Sequence, residues 1–384
     1  MWHRALLSTA ARRRVLPAGP SFGEFVRGGP AVVKEEETAR RKWNSEEEDL
    51  EDATPFLSDR FGRFHNYLRI SLTERCNLRC TYCMPAEGVP LSPQSALLGT
   101  SEVVRLASVF ARMGTTKIKL TGGEPTLRGD LVAICEAISR TPGISSVGMT
   151  TNGVTLIKSI RALREVGLKS VNVSLDSIVP ETFATLTRRP PATLSRVLEA
   201  IDVASQLMDV KVNCVVMRGK NDDQLGNLVR YFADRPVELR FIEWMPFNAN
   251  DWDRRLLVPA AEIREKLADL VPLPPRDPND TTRWYSVAGR EKAVGVISSM
   301  TEHFCGGCNR VRITSDGALK TCLFGDDAVS LRDLMRSGED DRAIARAVRS
   351  ALGNKHFAHG GRADGATGLA KHAASNRPMI LIGG

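Results

Sequence analysis

Two hydrophobic periods alternate along the chain. Six short apolar runs are separated by longer segments in which apolar residues recur every three to four positions, as on a helix face. The short runs are 66–73, 117–121, 146–151, 170–176, 210–217 and 237–244. The helical segments are 101–114, 130–139, 155–167, 193–206 and 222–234. This repeat of strand and helix predicts parallel strands joined by right-handed crossovers.

Residues with candidate chemistry stand directly after most of these runs. They are Cys76 to Cys83 after the first run, TGGEP at 121–125, TTNG at 150–153, Ser174 and Asp176 at the fourth, and Met245 after the sixth. A doubly wound open sheet and a barrel or partial barrel both fit the repeat, and both collect functional groups at the carboxyl ends of their strands. We therefore expect one site formed by several strand ends.

The pattern changes to short alternating strands after residue 285. Residues 310–324, RVRITSDGALKTCLF, predict a β-hairpin with Asp316 and Gly317 in its turn. Residues 355–376 are rich in glycine, alanine and histidine and carry no pattern that we can assign. The chain then closes with an apolar run, RPMILIGG.

The first residues of the chain are typical of a targeting segment. They are rich in arginine, and no acidic residue precedes Glu24, as in a mitochondrial presequence; a basic disordered tail is the alternative. Residues 34–52 are highly charged and predict a solvated linker. We expect a presequence and disordered linker over 1–60, a barrel domain over 61–285 and a C-terminal domain over 286–384.

Composition narrows the function only slightly. The chain has 384 residues, 42% hydrophobic and 26% charged, which is ordinary for a globular protein. No run of about 18 apolar residues occurs, so we expect no membrane span. Lys and Arg exceed Asp and Glu to give a formal net charge of +8, which suits nucleic acid, a membrane surface or a phosphorylated small molecule without choosing among them.

The first cysteine cluster has the spacing C-x3-C-x2-C and consists of Cys76, Cys80 and Cys83. A structural zinc site needs four nitrogen or sulfur ligands, and the nearby His65 precedes the strand at its far end. Iron–sulfur cubes are usually held by four cysteines, so three would leave one iron open to a small molecule. A zinc knuckle is the alternative.

This spacing resembles that of the radical S-adenosylmethionine (SAM) superfamily. The resemblance implies that the three cysteines hold a [4Fe–4S] cluster whose open iron binds the amino and carboxylate groups of SAM. Tyr82 resembles the aromatic residue that packs on SAM. GGEP at 122–125 resembles the loop for the SAM amino group, with Glu124 accepting from the ammonium. By itself, GGEP would be interpreted as an ordinary turn at a strand end.

A second cysteine cluster, C-x2-C-x13-C, consists of Cys305, Cys308 and Cys322. His303 would complete a zinc module of three cysteines and one histidine, and these residues alone leave that alternative open. The stretch 305–324 resembles one radical SAM family, the GTP 3′,8-cyclases, which open molybdenum cofactor synthesis. The resemblance implies a second [4Fe–4S] cluster whose open iron meets the guanine of GTP. The final two glycines resemble the flexible tail that reaches into the active site of this family.

Basic residues in the predicted strands suit a triphosphate. Strand alternation puts Arg310 and Arg312 on one face and Val311 on the other, directly after Cys308. Guanidinium pairs bind phosphate well, and a buried charge without a partner is costly. The resemblance assigns GTP contacts to Arg69, Lys119, Thr150, Lys211, Arg310, Val311 and Arg312, with Arg310 and Arg312 also taking catalytic roles. It assigns SAM contacts to Tyr82, Gly123, Ser174 and Met245.

We therefore expect an incomplete (β/α)6 TIM-like barrel of the radical SAM type, with a C-terminal iron–sulfur domain that covers its open side. The resemblance implies a lyase in which a 5′-deoxyadenosyl radical removes the ribose C3′ hydrogen of GTP and the C3′ radical attacks guanine C8. The product would be (8S)-3′,8-cyclo-7,8-dihydroguanosine 5′-triphosphate. It also implies the mitochondrial matrix, a homodimer, and a cyclic pyranopterin monophosphate synthase as the downstream enzyme.

Two alternatives belong to other functional classes. A radical SAM peptide modifier would carry more C-terminal cysteines than the three present here. A zinc-containing nucleic-acid-binding protein would suit the positive charge, but only 6% of residues are aromatic and no basic–aromatic ladder for stacking bases occurs. We therefore expect no nucleic-acid partner.

Overall fold

Each of the six predicted strand runs forms a strand in the computed structural model, which describes residues 56–383 except 268, 327 and 362–364. The strands are β1 (Tyr67–Ser71), β2 (Lys117–Thr121), β3 (Ser146–Thr151), β4 (Leu168–Ser174), β5 (Asp209–Val216) and β6 (Val237–Glu243). Each pairs in parallel with the next. The predicted presequence, most of the linker and Gly384 lie outside the described residues.

Helices alternate with these strands. They are α1 (Thr100–Met113), α2 (Leu131–Ser139), α3 (Ile160–Glu165), α4 (Pro180–Thr187), α5 (Thr193–Ser205) and α6 (Leu225–Tyr231). In α1, Val103, Leu106 and Phe110 form the buried stripe that the sequence period predicts, and the helix ends at Gly114 in the left-handed conformation. No helix of the described residues is both long and apolar enough to cross a membrane.

The order of the strands decides between the two predicted architectures. A doubly wound sheet reverses direction after its first strands. Here β1 to β6 follow one another in sequence order, as they do in a barrel. The outermost strands do not pair with each other in the part of the chain that the structure describes, so the barrel is incomplete. The predicted incomplete (β/α)6 barrel is confirmed.

Short strands from the C-terminal part extend both sides of this sheet. They are β7 (Val271–Pro272), β8 (Arg283–Ser286), β9 (Val294–Ile297), β10 (Arg310–Ile313), β11 (Ala318–Lys320) and β12 (Val329–Ser330). β9 pairs in parallel with β6, and β10 pairs in parallel with β1. β10 and β11 form the predicted hairpin, with Gly317 at φ +83° in its turn. The sheet therefore continues across the predicted domain boundary at residue 285.

Five helices complete the C-terminal part. They are α7 (Ala260–Lys266), α8 (Leu331–Arg336), α9 (Asp341–Gly353), α10 (Gly365–Lys371) and α11 (Met379–Ile382). Asp340 caps α9, because its side chain accepts a hydrogen bond from the backbone N–H of Ala343. The unassigned segment 355–376 contains a 3-10 turn, His359–Gly361, in addition to α10.

The packed part of the chain begins earlier than the sequence analysis placed it. Leu57, which we assigned to the linker, is fully buried. Asp59 is also buried, and its carboxylate pairs with Arg63 at 2.7 Å. The guanidinium of Arg63 then donates to the backbone carbonyls of Cys305 at 2.6 Å and Phe357 at 2.7 Å. Residues 56–60 therefore belong to the fold.

Candidate active site

One cavity of about 600 Å³ brings the two cysteine clusters together. It is lined by Cys76, Cys80 and Cys83 of the first cluster and Cys305, Cys308 and Cys322 of the second. The predicted SAM residues that line it are Tyr82, Gly123, Ser174 and Met245. The predicted GTP residues that line it are Arg69, Thr150, Lys211, Arg310 and Arg312. Residues that are distant in sequence thus share one chamber in and above the barrel lumen.

The first cysteine cluster lies in the loop that follows β1. Burial raises the pKa of Cys76 and Cys80, and it raises the pKa of Cys83 to about 12. The three thiols are close enough to disfavour one another's ionisation. Bringing three thiolates together here therefore requires a positively charged partner, and binding of that partner releases protons.

The second cysteine cluster has a more positive environment. Burial by itself would raise the pKa of Cys308, but the neighbouring Lys355 and Arg310 lower it overall. Lys355 is buried, and its Nζ lies 3.6 Å from the Cys308 Sγ and 2.7 Å from the Nε2 of His65. Burial raises the pKa of Cys305. The cation beside Cys308 stabilises its thiolate form, which is the form that binds metal.

Each of the two donor sets provides three thiols around one cavity, so a four-iron cube held there would keep one iron without a cysteine ligand. Within the described residues, no group of three or more His, Cys, Asp and Glu side chains is arranged to hold a single metal ion. His303 lines the cavity, and its ring packs against that of His359 with 4.9 Å between centroids.

Buried cations make the lumen strongly positive. Burial lowers the pKa of Lys119 to about 8, of Arg240 to about 10 and of Arg312 to about 9. Burial would raise the pKa of Tyr67, but the nearby Lys119, Arg69 and other cations lower it to about 8. Cations kept out of bulk water in this way lose hydration, and an anionic ligand restores favourable interactions. The lumen is therefore suited to a polyanion.

Four residues that line the cavity each carry one buried polar atom without a hydrogen-bond partner among the described residues. The atoms are Arg310 Nη1, Thr150 Oγ1, Asn172 Oδ1 and His359 Nε2. Buried polar atoms in native proteins nearly always have a partner, so these four are exceptions within the packing around the cavity.

Comparison with known proteins agrees with this geometry. A family model described as Radical SAM superfamily matches residues 70–232, and one described as Molybdenum Cofactor Synthesis C matches 237–360. The mitochondrial GTP 3′,8-cyclase of Arabidopsis thaliana is 50% identical over 85% of this chain and 83% of its own length. The GTP 3′,8-cyclase of Thermodesulfovibrio yellowstonii is 39% identical over 85% of this chain and all of its own.

The chain belongs to the GTP 3′,8-cyclase family. The predicted radical SAM lyase class and its place at the first step of molybdenum cofactor synthesis are confirmed. This family assignment implies one [4Fe–4S] cluster, SAM as cofactor and GTP as substrate.

Animal relatives are longer than this cyclase-family chain. Human Molybdenum cofactor biosynthesis protein 1 is 42% identical over 99% of this chain, which spans 59% of the human protein. The chain spans 52% of the mouse protein of the same name. Among solved structures, Streptococcus suis SuiB bound to S-adenosylmethionine matches with a TM-score of 0.52 at 16% identity, over 74% of this chain and 68% of that one. At this identity, the likeness supports the fold alone.

Three residues of the predicted cyclase site lie elsewhere than expected. The side chain of Val311 is fully buried in the packing behind β10 rather than at the cavity. Lys119 lies beneath the cavity wall, where its Nζ is 3.4 Å from Ser170 Oγ. Glu124 is fully buried and does not line the cavity, and its carboxylate accepts from the backbone N–H of Asn152 at 2.6 Å and from other groups of the fold.

The GGEP turn packs against the backbone of the loop that follows β1. A Cβ on Gly123 would lie 2.3 Å from the carbonyl oxygen of Arg75 and 2.7 Å from that of Glu74. The backbone N–H of Gly123 donates to the carbonyl of Thr73 at 2.6 Å. Glycine is thus required because the turn presses against the loop that carries the first cysteine cluster.

The C-terminal tail of this cyclase-family chain enters the chamber. At the start of the tail, the guanidinium of Arg377 forms an ion pair with Asp316 at 2.8 Å, which links the tail to the β10–β11 hairpin. Farther along, the backbone N–H of Ile380 donates to the thiol of Cys83, and the carbonyl of Gly383 accepts from Arg312 at 3.3 Å. Gly383 has φ +85°, a conformation that favours glycine. Its predicted partner Gly384 lies outside the described residues.

Sequence analysis missed several residues that line the chamber, among them Arg240, Asp176 and His359, and it also missed Lys355, which lies beside Cys308. Arg240 on β6 satisfies the same criterion that selected Lys119, since it is a basic residue in an inner strand. Asp176 was noticed but left without a role. Burial raises its pKa to about 6, and it shares a hydrogen bond with Tyr82. Lys355 and His359 come from the segment that we could not assign, so no sequence pattern marked them.

Proposed function

We propose that this chain converts GTP to (8S)-3′,8-cyclo-7,8-dihydroguanosine 5′-triphosphate with two [4Fe–4S] clusters. The single observation that carries the proposal is the common cavity, in which two three-cysteine sets meet and basic residues lie between them. One open cluster suffices for SAM, whereas two open clusters facing a polyanion site suit a reaction on a nucleotide. The family membership supports the same assignment.

Cofactor residues divide between the two ends of the cavity. Cys76, Cys80 and Cys83 would hold the first cluster, and Cys305, Cys308 and Cys322 the second. When bound, the first cluster and SAM supply the 5′-deoxyadenosyl radical that removes the ribose C3′ hydrogen. Tyr82, Gly123, Ser174 and Met245 line the same cavity and would hold SAM in place.

The remaining residues bind and orient GTP. Arg69, Lys211 and Arg312 line the lumen, and Lys119 adds its charge from beneath the wall. Together they neutralise a triphosphate, and the guanidiniums make paired hydrogen bonds to its oxygens. Arg310 and Thr150 line the same space. Fixing the triphosphate holds C3′ and guanine C8 together, which favours attack of one on the other.

Exclusion of water protects a radical on the ribose. Aromatic side chains, including Trp284, Phe304 and Phe324, form part of the cavity wall. The tail residues Met379 and Ile380 line the cavity as well. A chamber whose wall is largely apolar limits side reactions of the C3′ radical before it attacks C8. One electron from the reductant and one proton then complete the product.

The cellular setting forms part of the proposal. The relative from Arabidopsis thaliana is named as mitochondrial, and the arginine-rich start of this chain is typical of a mitochondrial presequence. We place the enzyme in the mitochondrial matrix as a homodimer, with a cyclic pyranopterin monophosphate synthase consuming its unstable product. Import of a tagged full-length chain, compared with one that begins at residue 56 and so keeps the packed segment before β1, tests the location.

An anaerobic assay tests the reaction. The protein is reconstituted with iron and sulfide, SAM and a reductant are added, and 5′-deoxyadenosine is measured with and without GTP. We expect GTP-dependent 5′-deoxyadenosine and a cyclised nucleotide. If SAM is cleaved equally with and without GTP, the assignment of radical SAM chemistry would stand and the assignment of GTP as substrate would be wrong. No cleavage by protein verified to carry both clusters would refute the proposed reaction.

A further inference from the structure

The loop between β7 and β8, residues 273–282, lies across the amino-terminal end of the barrel, and we call it the floor loop. Lys117, the first residue of β2, forms an ion pair with Asp277 of this loop at 3.1 Å. Arg310, the first residue of β10, donates a hydrogen bond to the carbonyl of Asn279 at 2.8 Å. Because β2 and β10 both run parallel to β1, these contacts lie at the end of the barrel opposite to the loop that carries the first cysteine cluster.

Arg276 is the only basic residue of the floor loop, and the sequence analysis gave it no role. It lines the cavity, and its side chain is 43% exposed, so the guanidinium remains accessible. The guanidinium carbon lies 4.1 Å from the ring centroid of Trp284, which is buried. The indole is held in turn, because its Nε1 donates to the carboxylate of Asp280 at 2.6 Å. A cation over the face of an aromatic ring is attracted to it, so Trp284 supports Arg276 at the cavity.

Arg276 shares one carboxylate with Lys211. Glu238, the second residue of β6, accepts from Lys211 at one oxygen and from Arg276 at the other. Lys211 Nζ lies 5.1 Å from the centroid of the same Trp284 ring, so the two cations are neighbours. The bond to Glu238 involves one of the five donors of the guanidinium, and the other donors suit additional acceptors. Two cations with one carboxylate between them therefore leave a positive site for a further anion.

The wider surroundings of Arg276 are also positive. Five basic residues and three carboxylates interact at this end of the cavity, which leaves a net charge of +2. The basic residues are Lys117, Lys211, Arg240, Arg276 and Arg310, and the carboxylates are those of Glu238, Asp277 and Asp280. Asp277 and Asp280 also accept hydrogen bonds from backbone N–H groups of the floor loop, so they stabilise the loop itself. A ligand with several negative charges is attracted to such a region.

The position of the floor loop determines which part of the nucleotide reaches it. The radical that removes the C3′ hydrogen would form at the first cysteine cluster, so the ribose has to lie toward the carboxyl ends of the strands. Arg69 and Arg312 stand opposite each other in the middle of β1 and β10, between the two ends of the barrel. A phosphate chain held by these arginines would extend its last phosphate to the floor loop. The terminal phosphate is the one farthest from the ribose, and a guanidinium suits its oxygens.

We propose that Arg276 binds the terminal phosphate of GTP and makes the site select a triphosphate over shorter phosphate chains. The inference rests on the proposed function and deepens it by naming the residue that distinguishes GTP from GDP. Arg276 is a specificity residue in this role, because it contacts a group remote from C3′ and C8.

Binding of GTP, GDP and GMP tests the proposal. The protein with both clusters is dialysed anaerobically against each nucleotide without SAM, and iron and sulfide are measured in every sample. We expect wild-type protein to bind GTP about tenfold more tightly than GDP, since GDP lacks the phosphate that forms a charged hydrogen bond with Arg276.

Three variants assign this preference to Arg276. Arg276→Gln removes the charge and the paired donors but keeps an amide that can donate to Glu238. We expect its GTP affinity to fall about tenfold, with its affinities for GDP and GMP unchanged. Arg276→Lys keeps the charge without the fork of donors, so its GTP affinity should lie between the two. Arg283→Gln is the matched control, because Arg283 is 57% exposed, pairs with Glu302 and does not line the cavity. It should bind all three nucleotides as wild-type protein does.

Glu238→Gln separates phosphate binding from the ion pair. If Arg276 served only to neutralise Glu238, this variant would lose GTP affinity as Arg276→Gln does, and that result would overturn the proposal. We expect Glu238→Gln to bind GTP at least as tightly as wild-type protein, because the carboxylate no longer competes with the phosphates for the two cations.

Each remaining outcome decides the question. Wild-type protein that binds GTP and GDP equally, or an Arg276→Gln protein with full clusters and an unchanged ratio of these affinities, overturns the role of Arg276. An equal loss for all three nucleotides also overturns it, because a displaced floor loop would produce that result. If Arg276→Gln loses iron, the wild-type ratio and Arg276→Lys decide. Wild-type protein that cyclises GTP without preferring it to GDP refutes only the role of Arg276, whereas protein with full clusters that binds no GTP refutes the proposed function as well.

Discussion

Lys119 does not line the cavity, yet its charge can still respond to an anion bound there. The side chain is buried beneath the cavity wall. Its pKa depends on the charges of four nearby side chains, Tyr67, Arg240, Arg69 and Lys211. Burial lowers its pKa to about 8, while the opposing phenol of Tyr67 favours the charged form. A triphosphate above it would strengthen that charged form, so binding and protonation are linked.

This linkage predicts that GTP binding weakens as pH rises above about 8. Lys119 loses its positive charge in that range, and Tyr67, whose pKa is also about 8, gains a negative one. Both changes disfavour a triphosphate whose phosphates are already ionised. We expect full affinity below pH 8 and, above it, a loss of up to about tenfold per pH unit for each of the two groups that deprotonates. Anaerobic titration of the reconstituted protein between pH 7 and about 9.5 measures the effect.

Variants assign the pH effect to these residues. In Lys119→Met, GTP affinity is lower at neutral pH and the remaining pH dependence moves upward, because burial of Tyr67 is no longer opposed by that ammonium. Lys158→Met removes an exposed charge on the turn after β3 and serves as the matched control. A pH profile that is flat in wild-type protein, or identical in Lys119→Met, would contradict the assignment.

At the scale of elements, the strands were predictable because each is a short run of apolar side chains that is visible in the sequence itself. The run KIKLT forms β2 with the bounds that the sequence predicts. The alternation of strand and helix runs had already limited the fold to an α/β class with parallel strands. The contacts of loops were not predictable in this way. Glu124 looked available to a ligand in the sequence, yet Thr126, Thr151 and Asn152 occupy its carboxylate, and no local pattern encodes such tertiary partners.

The GGEP turn supports a prediction about the neighbouring cysteine loop. In Gly123→Ala, the added Cβ would collide with the backbone carbonyls of Glu74 and Arg75, which cannot rotate away as a side chain can. We expect a destabilisation of about 2 kcal/mol and displacement of the loop that carries Cys76. Iron and sulfide content after reconstitution should fall, and SAM binding should weaken with it.

A second glycine provides the control for this experiment. Gly129 follows the same turn, and a Cβ there meets nothing within 4 Å. Gly129→Ala should therefore bind iron, sulfide and SAM as wild-type protein does. Equal iron content and SAM affinity in Gly123→Ala and Gly129→Ala would show that the close approach does not hold the cysteine loop in place.

At the scale of the whole molecule, the segment before β1 and the segment after α9 converge on the second cysteine cluster. Arg63 donates to the carbonyl of Cys305, and Lys355 contacts both His65 and Cys308. The backbone N–H of His359 donates to the thiol of Cys305. The sequence hid this arrangement, because residues 56–60 adjoin a charged linker and 355–376 have no period. Long-range pairing of β1 with β10 places the two segments on neighbouring strands of one sheet, and side-chain contacts then join them.

Arg63 is the residue that joins these segments, so its removal should affect the whole C-terminal part. Its guanidinium pairs with the buried Asp59 and donates to the carbonyls of Cys305, His356 and Phe357. Arg63→Ala would leave a buried carboxylate and three carbonyls without this partner. We expect the free energy of unfolding to fall by about 3 kcal/mol, measured by urea unfolding of the cluster-free protein.

The same substitution should deplete the second cluster selectively. Arg60→Ala is the matched control, because Arg60 is exposed and contacts only the face of Phe61 among the interactions described here. After reconstitution, Arg63→Ala should hold less iron than Arg60→Ala, and the deficit should vanish when Cys305, Cys308 and Cys322 are replaced by alanine in both proteins. A deficit that persists without those cysteines would place the effect at the first cluster and contradict the joining role of Arg63. Loss confined to the second cluster would mean that the segment before β1 is part of the machinery that holds it.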